Sequence, residues 1–268
     1  QWWRTMVQSR EDIVGLDSSV ILPRKVWEAS GHVENFHDPM IDCKNCKKRF
    51  RADDDSMDIN KCCPDCGIKN WTEVRNFNLM FKTEVGAVSD GSAYAYLRPE
   101  TAQTIFINFK NMMTTNRAKL PFGVAQIGKS FRNEITPKQF LFRLREFEQM
   151  EIEYFVKPEN WEGAFEEFRA EMLSFTEDIG LPREKVHEIE IAKEDRAFYS
   201  ERTIDFEFDF PIGREELLGL AYRGNFDLSN INRESGKNME YTIKYKVLWL
   251  FCHLTLFWRK KMVTKWGQ

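Results

Sequence analysis

Between Phe122 and Val156 the chain reads FGVAQIGKSFRNEITPKQFLFRLREFEQMEIEYFV, with polar residues where a buried sheet would favour apolar ones. Two strand-like runs flank ITPKQF, whose Thr136 and Pro137 punctuate a loop, so the stretch predicts a long hairpin. With a side-chain period of two, Val124, Gln126, Gly128, Ser130, Arg132 and Glu134 share one face of the first strand. Arg143, Arg145, Phe147, Gln149 and Glu151 share one face of the second. Arg132 and Arg143 offer guanidinium forks to phosphate, Phe147 a plane to a base, and Glu134 and Glu151 acceptors to amines. Such a face suits a nucleoside triphosphate. A solvated face crossed by surface salt bridges is the plainer reading of a charged hairpin, and only the order of the residues overturns it.

Phe131-Arg132-Asn133-Glu134, a loop, then Arg143-x-x-x-Phe147-x-x-x-Glu151 resembles motif 2 of the class II aminoacyl-tRNA synthetases. FRNEITP followed by FRLREFEQMEIEYF is similar to the glycyl form of that motif, from synthetases of the dimeric kind. The resemblance implies that Arg132 holds the α-phosphate and the carboxylate of the activated amino acid, and that Glu134 accepts from the adenine amine; these two are the expected catalytic residues. It further implies that Phe147 stacks on adenine, Arg143 reaches the terminal phosphates and Glu151 faces the glycine ammonium. Asn133, Phe142, Leu144, Arg145 and Glu146 are carried over as further ATP-binding positions, and Phe147, Glu148, Gln149 and Met150 as glycine-binding ones.

Upstream, Ala102, Ile105, Phe106, Phe109, Met112 and Met113 recur at helical spacing, which puts Arg98-Pro99-Glu100-Thr101 at a helix entrance. The helix dipole alone favours a carboxylate there, so Glu100 has a purely structural explanation. RPETAQ nevertheless resembles the amino-acid loop of the same family, which implies that Glu100 meets the glycine ammonium together with Glu151. Ile21-Leu22-Pro23 resembles the end of motif 1, the dimer-forming helix and strand, and so implies a homodimer; Arg24 matches a family arginine near the substrate. QWWRTMV reads as the middle of an amphipathic helix, with Trp2 and Trp3 suited equally to a core or a dimer face. With Gln1 in place of Met, the chain is expected to be a fragment.

Cys43-x-x-Cys46 and Cys63-x-x-Cys66 have the spacing of a structural tetrathiolate zinc site. Four thiolates leave no open coordination position, so such an ion would be structural, and the acidic ADDDSMD between the pairs could not fold without it. The alternative is an insertion whose cysteines stay reduced and empty. Cys62 is left over as a free thiol or an alternative ligand. His32 and His37 fall in a probable loop, Arg24 to Cys43, and receive no role; Trp71–Phe81 and Ala93–Leu97 have strand character, separated by a loop over Gly86–Ser92.

After the hairpin, Trp161, Phe165, Phe168, Met172, Phe175 and Ile179 step by four and three, then Gly180 and Pro182 stop an amphipathic helix. Ile204, Phe206, Phe208 and Phe210 alternate with acids as a half-buried strand, and Glu216–Ala221 forms another. The family's Gly-Glu-Leu glutamate, which helps hold Mg2+ and ATP, corresponds to Glu216 with Leu217 beside it, although Arg214-Glu215 replaces the usual Trp-Gly. Beyond Tyr241 the resemblance stops. No motif-3 run with its γ-phosphate arginine follows, so residues 242–268 read as a divergent or frameshifted tail, and the chain as given is expected to bind ATP poorly and to be inactive.

With 268 residues, 42% of them hydrophobic, the chain can bury a sizeable core, and a net charge of −3 argues against gripping nucleic acid through a broad basic surface. The longest apolar run, Val247–Trp258, is short of the roughly 20 residues a membrane helix needs, and no signal peptide is visible. A soluble, cytoplasmic protein without membrane contact is expected. The resemblance implies an α+β class II catalytic domain over residues 1–241, an antiparallel sheet flanked by helices, with a zinc-knuckle insertion at 42–68. It implies a glycine-tRNA ligase using ATP, Mg2+, glycine and tRNA(Gly). The competing reading is a non-catalytic class II-like subunit kept for dimerisation or nucleic-acid binding; a zinc-ribbon nucleic-acid module would account for too little of the chain.

Overall fold

The computed structural model describes residues 1–53, 57–88, 93–137, 142–239, 241–243, 246–248 and 252–259. Parts of the acidic stretch between the cysteine pairs, of the Gly86–Ser92 loop, of the hairpin turn and of the tail lie outside the described residues. The chain forms two compact units: residues 1–20, 100–129 and 148–268, and residues 21–99 with 130–147.

In chain order a π-helical segment (Arg4–Gln8) comes first, where QWWRTMV predicts a helix, then β1 (Ile13–Gly15), β2 (Ile21–Pro23), α1 (Arg24–Ala29), α2 (His32–Asn35) and β3 (His37–Asp42). Next come β4 (Arg49–Arg51), β5 (Arg75–Asn78), β6 (Lys82–Glu84), β7 (Tyr94–Leu97) and α3 (Ala102–Thr115). The hairpin strands are β8 (Phe122–Phe131) and β9 (Glu146–Val156), followed by α4 (Trp161–Asp178), β10 (Val186–Glu190), β11 (Arg202–Phe210) and β12 (Gly213–Tyr222). α5 (Phe226–Ser235), β13 (Tyr241–Ile243), β14 (Lys246–Leu248) and β15 (Cys252–Arg259) complete the described chain.

The first unit is built on a seven-stranded sheet ordered β1-β8-β9-β15-β12-β11-β10. β1 runs parallel to β8, whereas β9, β15, β12, β11 and β10 are successively antiparallel. α4 covers one face: Phe165, Phe168, Met172 and Phe175 pack with Ile152, Tyr154, Val156, Phe206, Leu218 and Leu220 in one core. The α3 residues Ile105, Phe106 and Phe109 pack with Phe122, Val124 and Phe155, and with Leu228 and Ile231 of α5, in a second. Even positions of β9 therefore face α4, and Phe155 faces α3, as a period of two requires.

Local chemistry sets the ends of these elements. α4 stops where Gly180 turns left-handed (φ +85°), with Leu181 N–H on Thr176 O at 3.0 Å and Gly180 N–H on Glu177 O at 2.8 Å. Trp2 belongs to the first core, and a Cβ on Gly15 would fall 2.7 Å from the Trp3 ring, so only glycine fits there. Among the described residues no helix is long and apolar enough to cross a membrane.

The second unit holds two antiparallel three-stranded sheets, β2-β7-β6 and β4-β3-β5. Three expectations need correction. Arg24 to Cys43 is not a loop: Trp27 and His32 are buried, and the segment folds as two short helices and β3. Trp71–Phe81 is strand only over β5, because the Asn78 side chain accepts the Met80 N–H at 2.9 Å and turns the chain. Finally, β8 ends at Phe131 and β9 starts at Glu146, so Arg132, Glu134, Arg143 and Arg145 lie beyond the named strands and are placed by loop contacts.

Candidate active site

In the second unit the segments flanking the hairpin turn are laced together by their backbones. Arg132 N–H donates to Arg145 O at 2.9 Å and Asn133 N–H to Leu79 O at 2.7 Å. The Arg132 side chain is fixed from three sides: its Nε donates to Pro99 O at 3.1 Å, and its guanidinium lies 5.2 Å from the Phe36 ring centre and 5.4 Å from that of Phe147. Aromatic faces favour a cation and hold its plane, which is what a fork aimed at phosphate needs. Arg143 approaches Glu134 at 3.7 Å.

Arg145 instead clamps the Glu134 carbonyl through Nε and Nη2, at 3.2 and 3.1 Å, so its visible work is to hold the loop. Phe142 is buried, Leu144 half-buried and Glu146 exposed. Arg24 is exposed and spends its guanidinium on Glu28 and the Tyr94 hydroxyl. Buried Asp38, on β3, pairs with Arg51 at 3.0 Å. Burial pushes its carboxyl above the usual range against the pull of Arg51, and Glu134 adds to the rise.

In the first unit, Glu100, Glu151, Glu153 and Asp227 are all buried, and among its described residues only one buried cation, Arg223, accompanies them. Arg223 donates to both oxygens of Asp227 at 2.9 Å and lies 3.7 Å from the Tyr199 ring centre. Full burial opposes its charge, yet Asp227, Tyr199, Glu100 and Glu153 outweigh that and keep the guanidinium charged. Thr101 donates its hydroxyl to Glu151, while Gln103 Nε2 donates to Asp227 at 2.6 Å and to Glu100 at 3.3 Å. Thr101, Gln103 and Arg223 thus tie Glu151, Glu100 and Asp227 into a buried, strongly polar group beside the start of α3.

Gln149 is buried on the same face of β9 as Glu151, by the alternation of the strand. Glu148 and Met150 occupy the even positions, and Met150 packs against the α4 core, so their side chains point away from Glu151. Glu216 is half-buried on β12 opposite Glu207, next to a bulge, and Leu217 packs against the α4 core.

The four paired cysteines converge: Cys43, Cys46, Cys63 and Cys66 place their sulfurs within 4.8 Å of one another, a group that can hold a metal ion. Cys43–Cys66 and Cys46–Cys63 are 3.6 and 3.8 Å apart. A tetrahedral zinc with bonds of about 2.3 Å would set its sulfurs about 3.8 Å apart, so the donor set fits. Two thiols of the group titrate as one system: the Ile68 backbone N–H pulls Cys66 down to about 6, while Cys46, against the pull of the Lys48 backbone N–H, is pushed up to about 11 by burial and the neighbouring thiols. Cys62 is exposed and outside the group.

A family model described as "tRNA synthetase class II core domain (G, H, P, S and T)" matches residues 81–253. The chain belongs to that class II core family. Curated relatives of this class II core named glycine–tRNA ligase are 48% identical in Ureaplasma urealyticum serovar 10, 49% in Cutibacterium acnes and 50% in Thermobifida fusca. Each match covers 90% of this chain and 55–56% of the relative, so the chain spans about half the length of the curated relatives it matches. A solved Giardia lamblia prolyl-tRNA synthetase in complex with prolyl-adenylate shares the fold, with TM-score 0.66 and 14% identity over 95% of this chain and 41% of that one.

Sequence reasoning assigned no role in the class II core to Phe36, Asp38, Gln103, Arg223 or Asp227. A signal existed for the last two, an arginine four residues before an aspartate at a helix start, the spacing of a helical ion pair. For Phe36 and Asp38 none exists, because Gly31 and Pro39 give their segment the composition of a loop.

Proposed function

We propose that this class II core belongs to a glycine–tRNA ligase, which joins glycine to ATP and passes the glycyl group to tRNA(Gly). The observation that carries the reading is the pair of buried carboxylates, Glu100 beside the start of α3 and Glu151 on β9, whose charge suits an ammonium. It stands in a chain about half identical to glycine–tRNA ligases. Glu100 and Glu151 receive the glycine ammonium. Arg132 binds the α-phosphate, Arg143 the terminal phosphates, Phe147 the adenine ring and Glu134 its amine.

A carboxylate oxygen of glycine attacks the α-phosphorus, the bond to the bridging oxygen breaks, and pyrophosphate leaves with the electron pair. A ribose hydroxyl of the tRNA then attacks the glycyl carbonyl, gives up its proton and releases AMP. Arg132 stabilises charge that develops on the phosphorus oxygens, and no covalent protein intermediate is needed. Magnesium, for which half-buried Glu216 offers a hard oxygen ligand, would neutralise phosphate charge. The cysteine group takes a structural zinc. The working form is a cytoplasmic homodimer.

Pyrophosphate exchange into ATP, run with each amino acid on the full-length gene product, tests this directly. Exchange with glycine alone is expected, and Arg132→Met should lower it by over a hundredfold, the cost of about 3 kcal/mol at a charge-stabilising group. Exchange with another amino acid, or none with glycine, would overturn the reading.

A further inference from the structure

β3, β4 and the turn after β4 carry Asp38, Arg51 and Asp53, which no step of the proposed reaction uses. Met40 of β3 lies opposite Arg51, and Asp38 shares the Met40 face two residues earlier, a diagonal that a long side chain spans. Arg51 accordingly reaches Asp38 through Nη1 at 3.0 Å, and it grips Asp53 through Nε at 3.0 Å and Nη2 at 2.7 Å. Asp38 is 8% exposed, and its Oδ2 has no hydrogen bond of good geometry among the described residues. The charge of Arg51 is therefore what holds that carboxylate.

This group stands beside the segment that carries Glu134. Arg51 and Ile135, the residue after Glu134, line one cavity together with Phe50 and Thr136. The charges also lie within reach of one another: burial raises the Asp38 carboxyl, Arg51 opposes the rise, Glu134 and Asp53 add to it, and Arg143 lowers it. Arg143 itself is held loosely. Its one ion contact among the described residues is Glu134 at 3.7 Å, beyond hydrogen-bond length, and its side chain is 37% exposed. Without Arg51, Asp38 would be a buried carboxylate in need of a partner, and Arg143 is the other guanidinium whose charge it feels.

We infer that Arg51 is a positioning residue for ATP: by occupying Asp38 it keeps Arg143 free to leave Glu134 for the terminal phosphates. This rests on the role proposed for Arg143. The strand that follows the first cysteine pair thus tunes ATP binding through its charge. A glycyl-adenylate has no terminal phosphates, so its binding makes no use of Arg143 and is indifferent to Arg51.

The test is calorimetric titration of the full-length gene product with two ligands, a non-hydrolysable ATP analogue and a glycyl-adenylate mimic that carries a sulfamoyl group in place of the phosphate. Arg51→Met should weaken the ATP analogue about tenfold or more, the size of one hydrogen bond to a charged group, and leave the mimic within about twofold. A general structural defect would weaken both ligands alike. Adding Asp38→Asn to Arg51→Met removes the competing carboxylate and should bring the ATP analogue back to within about threefold of the unaltered protein. An unweakened ATP analogue in Arg51→Met, an equal loss for both ligands, or no rescue by Asp38→Asn would each overturn the assignment. Should Arg51→Met fail to fold, Arg51→Gln, which keeps an N–H for Asp38 and drops the charge, decides on the same two ligands. Arg143→Met separates this inference from the reading beneath it and should show the same split. Normal binding of the ATP analogue by Arg143→Met would remove the role of Arg143, whereas a split there beside an indifferent Arg51→Met would remove only the role of Arg51.

Discussion

The two cysteine knuckles share one skeleton and almost nothing else. In each, the first cysteine's carbonyl accepts an N–H from four residues on, Lys47 in one and Gly67 in the other, both at 2.9 Å. In each, the first cysteine's own N–H reaches the carbonyl five residues on, Lys48 at 2.9 Å and Ile68 at 3.2 Å. The residue after the second cysteine is left-handed in both, with φ +72° at Gly67 and +62° at Lys47. Glycine takes that conformation freely and lysine does not. Since the same backbone is reached from a favourable and an unfavourable residue, convergence of four sulfurs, not local propensity, dictates the turn.

The comparison breaks most completely if the metal is taken away. Purified protein should contain about one zinc per chain. Stripping it with a chelator should forfeit on the order of 10 kcal/mol of binding free energy and unfold both knuckles together, visible as lost amide dispersion over β3 to β5. Folded knuckles in metal-free protein would show that the skeleton needs no ion. A smaller disturbance is Cys43→Ser with Cys63→Ser, one ligand from each knuckle, which should abolish zinc retention while the first unit's unfolding transition persists. The smallest and sharpest change exchanges the left-handed residues. Lys47→Gly should stabilise the zinc-bound second unit by about 1 kcal/mol and Gly67→Ala destabilise it by a similar amount, read from urea midpoints. Equal effects of the same sign would mean that the two turns are not equivalent.

How far the sequence was legible follows the reach of each interaction. α4 was readable because its aromatic stripe and its Gly180 stop are both local, and the knuckles because cysteine spacing states its own geometry. β3 was not, since Pro39 argues against a strand flanked on both sides. Pro39 is tolerated there because only its carbonyl is used, accepting the Ala52 N–H at 2.8 Å. Gln103 and Asp227 stand 124 residues apart, and no period or motif announces that their side chains meet. The resemblance supplied Arg132, Glu134 and Glu151 as names. Contacts supplied the division of labour, with Arg132 set between Phe36 and Phe147 while Arg145 holds a loop.

The order of strands in the large sheet also sets a timetable for synthesis. β15 lies between β9 and β12, so on the ribosome the nascent chain carries two half-sheets, β1-β8-β9 and β12-β11-β10, before the eight residues that join them emerge. Until then β9 and β12 each present an open edge, the kind of surface on which nascent chains pair wrongly with one another. Translation stalled just before Cys252 would therefore leave a species that depends on chaperones to keep those edges apart.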